Sequence, residues 1–149
     1  MIGFHVGSTS DLPAVVKRYQ PQGVNWYQIY LSNPKRADSP KKPLIPYANY
    51  VVHAPFITNV YGSKMYNWTR DYLRNSVRIM EELGIKHLVV HPGSTLGARD
   101  AWTKCRDLCR EFISYSSLVK LCLETSCGSK NGNMQGTIVT GKQIGRAHG

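Results

Sequence analysis

Two short apolar runs in this chain stop on a histidine, and a third stops on a glutamate. Leu88-Val89-Val90 ends on His91, with Pro92-Gly93-Ser94 directly behind it; Tyr50-Val51-Val52 ends on His53, followed by Ala54-Pro55; Val119 to Leu123 ends on Glu124. Short, nearly continuous apolar runs bounded by turn formers read as buried strands. Each of these strands finishes on a metal-capable side chain, placed where a loop begins. The separations are 38 residues from His53 to His91 and 33 from His91 to Glu124, close to one strand-helix-strand unit each. A chain so built is expected to set three donors on one rim of a parallel sheet.

The remaining segments fit the same alternation. Ile2 to Val6 reads as a first strand, and Ser10 as the cap of a helix from Asp11 to about Tyr19 with Pro13 in its first turn. Val24 to Leu31 has the aromatic and β-branched content of a second strand. Ala37 to Pro46 carries Pro40, Pro43 and Pro46, too broken for more than a rim loop with a short helix. The third strand is Tyr50 to His53. Ser63 is placed to cap the longest helix, whose inner face is Met65, Tyr72, Leu73, Val77, Met80 and Leu83, and Gly84 to end it. A fourth strand spans Lys86 to His91. A helix from Ala98 to about Ser117 turns Trp102, Cys105, Cys109, Phe112 and Ile113 inward, and a fifth strand runs from Val119 to Glu124. The four cysteines, Cys105, Cys109, Cys122 and Cys127, make no zinc-ribbon pair and are read as reduced packing residues.

Such alternation implies a parallel sheet with helices outside it, either an open doubly wound sheet or an eight-stranded barrel. Two features favour the barrel: no Gly-rich phosphate fingerprint follows the first strand, and several strands end on functional residue types, as barrel rims do. Five strands do not close an eight-stranded barrel, so the expected fold is an incomplete TIM (β/α)8 barrel, about its first five strands with outer helices.

At 149 residues and 42% hydrophobic content the chain is long enough for one domain with a core. It has neither the apolar run of a membrane span nor the basic-then-apolar plan of a leader. A cytoplasmic or otherwise intracellular protein is expected, free of membrane and monomeric, with a nuclear or viral setting left open. The net charge of +10 draws such a chain towards polyanions, nucleic acid first.

Zinc takes imidazole nitrogen and carboxylate oxygen, and hydrolytic sites keep one position open. His53, His91 and Glu124 supply two neutral donors and one anion, enough for a single ion. A carboxylate also bridges two ions, an arrangement suited to phosphodiester cleavage because attacking and leaving oxygens are both stabilised. A lone histidine is more often a hydrogen-bonded core or surface residue, so the metal reading rests on the coincidence of three strand ends. His5, on the inside of the first strand, and His87, at the start of the fourth, are weaker candidates.

The segments Gly3-Phe4-His5-Val6, His53 with Pro55, His91-Pro92-Gly93-Ser94 and Glu124-Thr125-Ser126-Cys127-Gly128 together resemble the N-terminal half of the AP endonuclease IV family, over about residues 2 to 136. The resemblance implies a zinc-dependent barrel enzyme of base excision repair that hydrolyses the phosphodiester 5′ to an abasic site in double-stranded DNA. It implies His53, His91 and Glu124 as zinc ligands, Glu124 bridging two ions at the catalytic centre, and up to three Zn2+ in the full-length family. Further Asp, His and Glu ligands come there from later strands, which this chain does not carry, so the chain alone is expected to be inactive. The loop with Lys35 and Arg36 and the loop with Phe56 and Ile57 look similar to the family's DNA-binding rim loops; Tyr61, Lys64 and Arg70 are further residues within reach of phosphate.

Residues 137–149 lie outside the resemblance. Ile144 to His148 is what one reading frame of a common sequencing-adapter oligonucleotide encodes, so two readings of this tail stay open, non-native sequence and a disordered natural tail. Two rival functions stay open: a xylose isomerase-like sugar isomerase or epimerase barrel, against which the basic rim loop argues, and a non-catalytic basic nucleic-acid-binding module.

Overall fold

A computed structural model describes residues 3–7, 9–43, 45–62, 64–95 and 100–124. Five strands form one sheet: β1 (Gly3–His5), β2 (Trp26–Tyr30), β3 (Asn49–His53), β4 (His87–Val90) and β5 (Lys120–Leu123). All neighbours pair in parallel, and their order across the sheet is the order of the chain. That order separates the two expected architectures. A doubly wound sheet reverses its strand order at a switch point, whereas a barrel adds each strand beside the last. The fold is an incomplete α/β barrel of five strands with helices on its outer side.

Register explains which side is core. Tyr27, Ile29, Tyr50, Val52, Leu88 and Val90 share the face that meets the helices, and all six are buried. Side chains alternate along a strand, so Trp26, Gln28, Val51, Val89 and Cys122 fall on the opposite, concave face and are only half-buried. In a closed barrel that face is filled by the remaining strands. β1, at the sheet's edge, is exposed along its length, and His5 stands in the open rather than inside, edge-on to Tyr30 at 5.3 Å.

Helices α1 (Leu12–Tyr19), α2 (Tyr66–Leu83) and α3 (Ala101–Tyr115) cover the convex face. α2 buries Thr69, Tyr72, Leu73, Ser76, Val77 and Met80, the expected stripe of a 3.6-residue repeat. Gly84, at φ +68°, ends it: its N–H reaches the Glu81 carbonyl at 3.1 Å and the Ile85 N–H the Met80 carbonyl at 2.8 Å, a Schellman closure. The proposed cap of this helix, Ser63, lies outside the described residues, and Met65 sits at the cap position rather than on the inner face.

Several local expectations are corrected. A 3-10 turn at Thr9–Asp11 precedes α1, so Asp11, not Ser10, occupies the cap, and the Ser10 hydroxyl lies 3.4 Å from the Asp11 carboxylate. α3 buries Cys105, Leu108, Cys109 and Phe112, but Ile113 is 72% exposed. It lies one residue past the centre of that stripe and overhangs the free edge of β5. Cys105, Cys109 and Cys122 are free thiols, the first two in the core as expected. No helix among the described residues is long and apolar enough to cross a membrane. The start expected at Ala98 for α3, Cys127, the boundary at 136 and the 137–149 tail all lie outside the described residues.

Candidate metal centre

His53 closes β3, and His91 and Glu124 are the first residues beyond β4 and β5. Parallel pairing of these neighbours brings the three to one rim: the Glu124 N–H bonds the Val90 carbonyl at 2.9 Å and the Ala54 N–H the Val89 carbonyl at 2.8 Å. Among the described residues they form a cluster in which one ligand atom from each lies within 4.8 Å of the others.

The hydrogen bonds fix what each donor can offer. His53, 2% exposed, places Nδ1 2.6 Å from the Ala54 carbonyl. A carbonyl only accepts, so Nδ1 carries a proton, and in the neutral tautomer this leaves the lone pair on Nε2. That Nε2 lies 3.0 Å from Glu124 Oε2, and the Nε2 of His91 lies 3.6 Å from the same oxygen. A lone pair facing a carboxylate at this distance needs a cation between them, a proton or a metal ion. Bond lengths of about 2.0–2.1 Å in a tetrahedral zinc site set ligand atoms about 3.3 Å apart. The two separations to Glu124 bracket that value, and two imidazoles with a carboxylate are a donor set that zinc takes.

Burial pushes the His91 imidazole below its ordinary pKa; Glu124 opposes the shift and His53 adds to it. The shift favours the neutral imidazole, the form a metal ligand requires. Its Nδ1 is buried with no partner among the described residues. Burial, then the Glu124 charge, raises the phenol of Tyr30, whose ring sits 5.4 Å from that of His53.

Phe56 lies over the cluster. Its ring stacks on His91 at 5.8 Å, contacts His53 at 6.0 Å and Tyr30 at 5.9 Å, and stays 53% exposed. Ile57 beside it is half-buried. Lys35 and Arg36 are exposed on the loop after β2, in a turn where the side chain and carbonyl of Asn33 accept their backbone N–H groups at 2.9 and 3.3 Å. This loop is pinned in three places: to the rim that carries His53 by the Phe56 N–H bonding the Pro34 carbonyl at 2.9 Å, to α2 by the Trp68 indole N–H bonding the Ala37 carbonyl at 3.1 Å, and to the end of β2 by the Lys41 N–H bonding the Leu31 carbonyl at 2.7 Å. The expected DNA-facing residues therefore share one rim with the three donors. Tyr61 does not belong with them: it is fully buried against Trp102. Arg70 is engaged by Glu111 at 3.9 Å.

A polar brace beneath the histidines escaped sequence reasoning. Thr58 donates to the Pro55 carbonyl at 2.8 Å and lies 3.4 Å from that of His91. The Asn59 side chain donates to the Ser94 carbonyl at 3.0 Å and accepts from the Tyr61 N–H at 2.8 Å, while its own N–H bonds the hydroxyl of Thr69. Gly93, at φ +86°, lets the loop after His91 lie against Asn59, because a Cβ there would come within 2.9 Å of the Asn59 Cα. The Asn and Thr between Pro55 and the next helix were the available signal.

No protein-family model matches the chain. Over 90 residues it is 31% identical to a protein named probable endonuclease 4 from Mycoplasma mobile, a match covering 59% of this chain and 32% of that protein. The chain thus spans about a third of the length of the curated relatives it matches. Its fold is similar to the crystal structure of endonuclease IV from Thermus thermophilus, with a TM-score of 0.65 at 19% identity over 87% of this chain and 53% of that one. It is also similar to the structure of an L-ribulose 3-epimerase, with a TM-score of 0.58 at 11% identity over 83% of this chain and 49% of that one.

Proposed function

We propose, for a chain whose sequence and fold resemble the endonuclease IV family, that it carries part of a zinc-dependent DNA-repair phosphodiesterase hydrolysing the bond 5′ to abasic sites in DNA. The observation that carries the reading is the convergence of His53, His91 and Glu124 within 4.8 Å at three successive strand ends. His53, with its tautomer held by the Ala54 carbonyl, and His91, whose neutral form burial favours, would hold the ion with the Glu124 carboxylate. When bound, zinc supplies a Lewis acid that offsets charge on phosphate oxygens.

The chain's own residues account for the rest. Phe56 shields one side of the histidines from water and leaves half of its ring for a sugar or base. Lys35 and Arg36 meet the phosphate backbone. An abasic nucleotide has no base to unpair, so drawing it to the rim costs less than drawing an intact one. The described residues supply three donors, enough for one ion with an open position; stabilising both attacking and leaving oxygens takes a second ion and further donors. On this reading the chain binds zinc and DNA but does not cleave alone.

The epimerase likeness is one of fold alone, and a neutral sugar has no use for the pinned basic loop. The test pairs zinc content after dialysis with fluorescence anisotropy of a duplex containing one tetrahydrofuran residue. About one zinc per chain is expected, lost in His53→Ala and His91→Ala, with the abasic duplex bound more tightly than an intact one when zinc is present. A chain that takes up no zinc, and whose DNA binding ignores chelator, would leave the non-catalytic basic module instead.

A further inference from the structure

Two thiols stand one turn apart on α3, away from the metal rim. Cys105 and Cys109 share the buried face of the helix, Cys105 out of reach of solvent and Cys109 8% exposed. Cys109 also forms part of the wall of a cavity of about 490 Å3 between α3 and β5, together with Phe112, Ile113, Val119, Leu121 and Leu123. One thiol therefore faces an apolar cavity, and the other sits one turn back along the helix.

The two thiols are hydrogen-bonded to each other, and the proton stays with Cys105. That bond, and then burial, pushes the Cys105 thiol far up; the same bond draws the Cys109 thiol below its ordinary value, against the effect of burial. The reactive thiolate thus forms on the sulfur that lines the cavity.

Geometry and charge together select what such a pair can hold. Residues four apart on a helix keep their Cβ atoms about 5–6 Å apart, whereas a disulfide needs about 3.5–4.5 Å. A direct S–S bond would distort α3; a bridge of one atom would not. Two thiolates in an apolar surround must also be neutralised, and a monovalent ion leaves an excess charge. Zinc completes its shell with four ligands, and the cavity wall offers no imidazole, carboxylate or third thiol. Trivalent arsenic with one carbon substituent meets both conditions: two As–S bonds leave the adduct neutral, and the apolar substituent has a cavity to enter.

We propose that Cys105 and Cys109 form a dithiol site for a monosubstituted trivalent arsenical, closing on its arsenic atom and seating its apolar substituent in the cavity beside Cys109. The Cys109 thiolate attacks the arsenic of an organoarsenic oxide, and Cys105 closes the ring. Two As–S bonds replace the bonds to oxygen, both thiol protons leave with that oxygen as one water, and arsenic stays trivalent.

The test treats the 149-residue chain with one equivalent of phenylarsine oxide. The expected product is a single adduct, heavier by the reagent less one water, that survives excess 2-mercaptoethanol and is released by a dithiol. After denaturation without a dithiol, an alkylating agent should reach Cys122 and Cys127 but not Cys105 or Cys109. Cys122→Ala, on the opposite face of the sheet, should keep the adduct. Cys105→Ala and Cys109→Ala should hold the reagent about 100-fold or more weaker, the gain that a second, tethered contact supplies, and lose it to the monothiol. Should either variant fail to fold, the alkylation map of the wild type decides alone. An adduct that the monothiol removes from the wild type, or a map that places arsenic on Cys122 or Cys127, overturns the proposal. So does a loss of helicity by circular dichroism on adduct formation, because a one-atom bridge leaves α3 intact.

Discussion

Replacing Glu124 by Gln removes one negative charge from the cluster while keeping the length of the side chain and one acceptor oxygen. Four-ligand structural zinc sites are worth about 10–16 kcal/mol, so one donor carries about 3 kcal/mol and its loss lowers affinity by about a hundredfold or more. Without zinc the sign changes. Nε2 of His53 faces Glu124 Oε2 at 3.0 Å, two lone pairs in the neutral state; a Gln NH2 in that place donates instead. The metal-free variant is therefore expected to match the wild type or exceed it by about 1 kcal/mol, the worth of an ordinary hydrogen bond. The assay is thermal unfolding with and without zinc at about a hundred times the wild-type Kd, where binding adds about 2.7 kcal/mol. For a chain of this size that is roughly 5–11 °C in Tm. With affinity lowered a hundredfold, the variant gains about 0.4 kcal/mol, or roughly 1–2 °C. A variant that keeps the full zinc shift refutes the reasoning. So does one that loses more than about 2 kcal/mol without zinc, because Glu124 would then be the structural partner of a protonated histidine.

Three further outcomes are expected. Gly84→Ala meets open space and should cost only the left-handed backbone term, about 1–2 kcal/mol; Gly93→Ala must also displace Asn59, with contacts at 2.7 and 2.9 Å, and should cost more in urea unfolding and loosen zinc about tenfold or more by moving His91. Phe56→Ala, at a ring 53% exposed, should leave Tm nearly unchanged but weaken single-strand or duplex binding by about 1–3 kcal/mol in anisotropy titrations. Tyr50, whose phenol donates to the Pro46 carbonyl at 2.7 Å, is pushed from 10.0 up to about 12 by burial and then by Tyr27. Its neutral form belongs to the folded state, so its contribution is complete below pH 10 and lost as pH rises towards 12; tyrosinate absorbance and circular dichroism should change together there, and a Tyr50→Phe variant should lose the effect.

That His53, His91 and Glu124 share one rim was readable because each stands at a fixed place relative to a local signal, the end of a short apolar run. α2 was readable for a related reason, since its stripe and Gly84 are both short-range features. The brace under His91 was not, because Thr58, Asn59 and Thr69 act through partners tens of residues away or through backbone carbonyls, and polar loop residues show no period. Ile113 misled because its apolar character was read as inward-facing, whereas the helix stripe centres on Leu108 and Phe112 and leaves it over the edge of β5. His5 was expected inside, and its strand points it at the concave face, which the described residues leave open there. The pinning of the basic loop by Ala37, Pro34 and Leu31 carbonyls uses backbone groups that every sequence has.

The sheet's strand order is also the order of synthesis. Each strand pairs with the one made just before it, so β3 and β4 can close as the chain emerges, without waiting for β5. His53 and His91 are then in place while Glu124, 33 residues after His91, is still to come. At about 5–20 residues per second the interval is roughly 2 to 7 s. Until β5 is made that rim has two imidazoles and no carboxylate, a weaker ligand set than the three together; on the zinc reading, capture of the ion awaits the last of these strands.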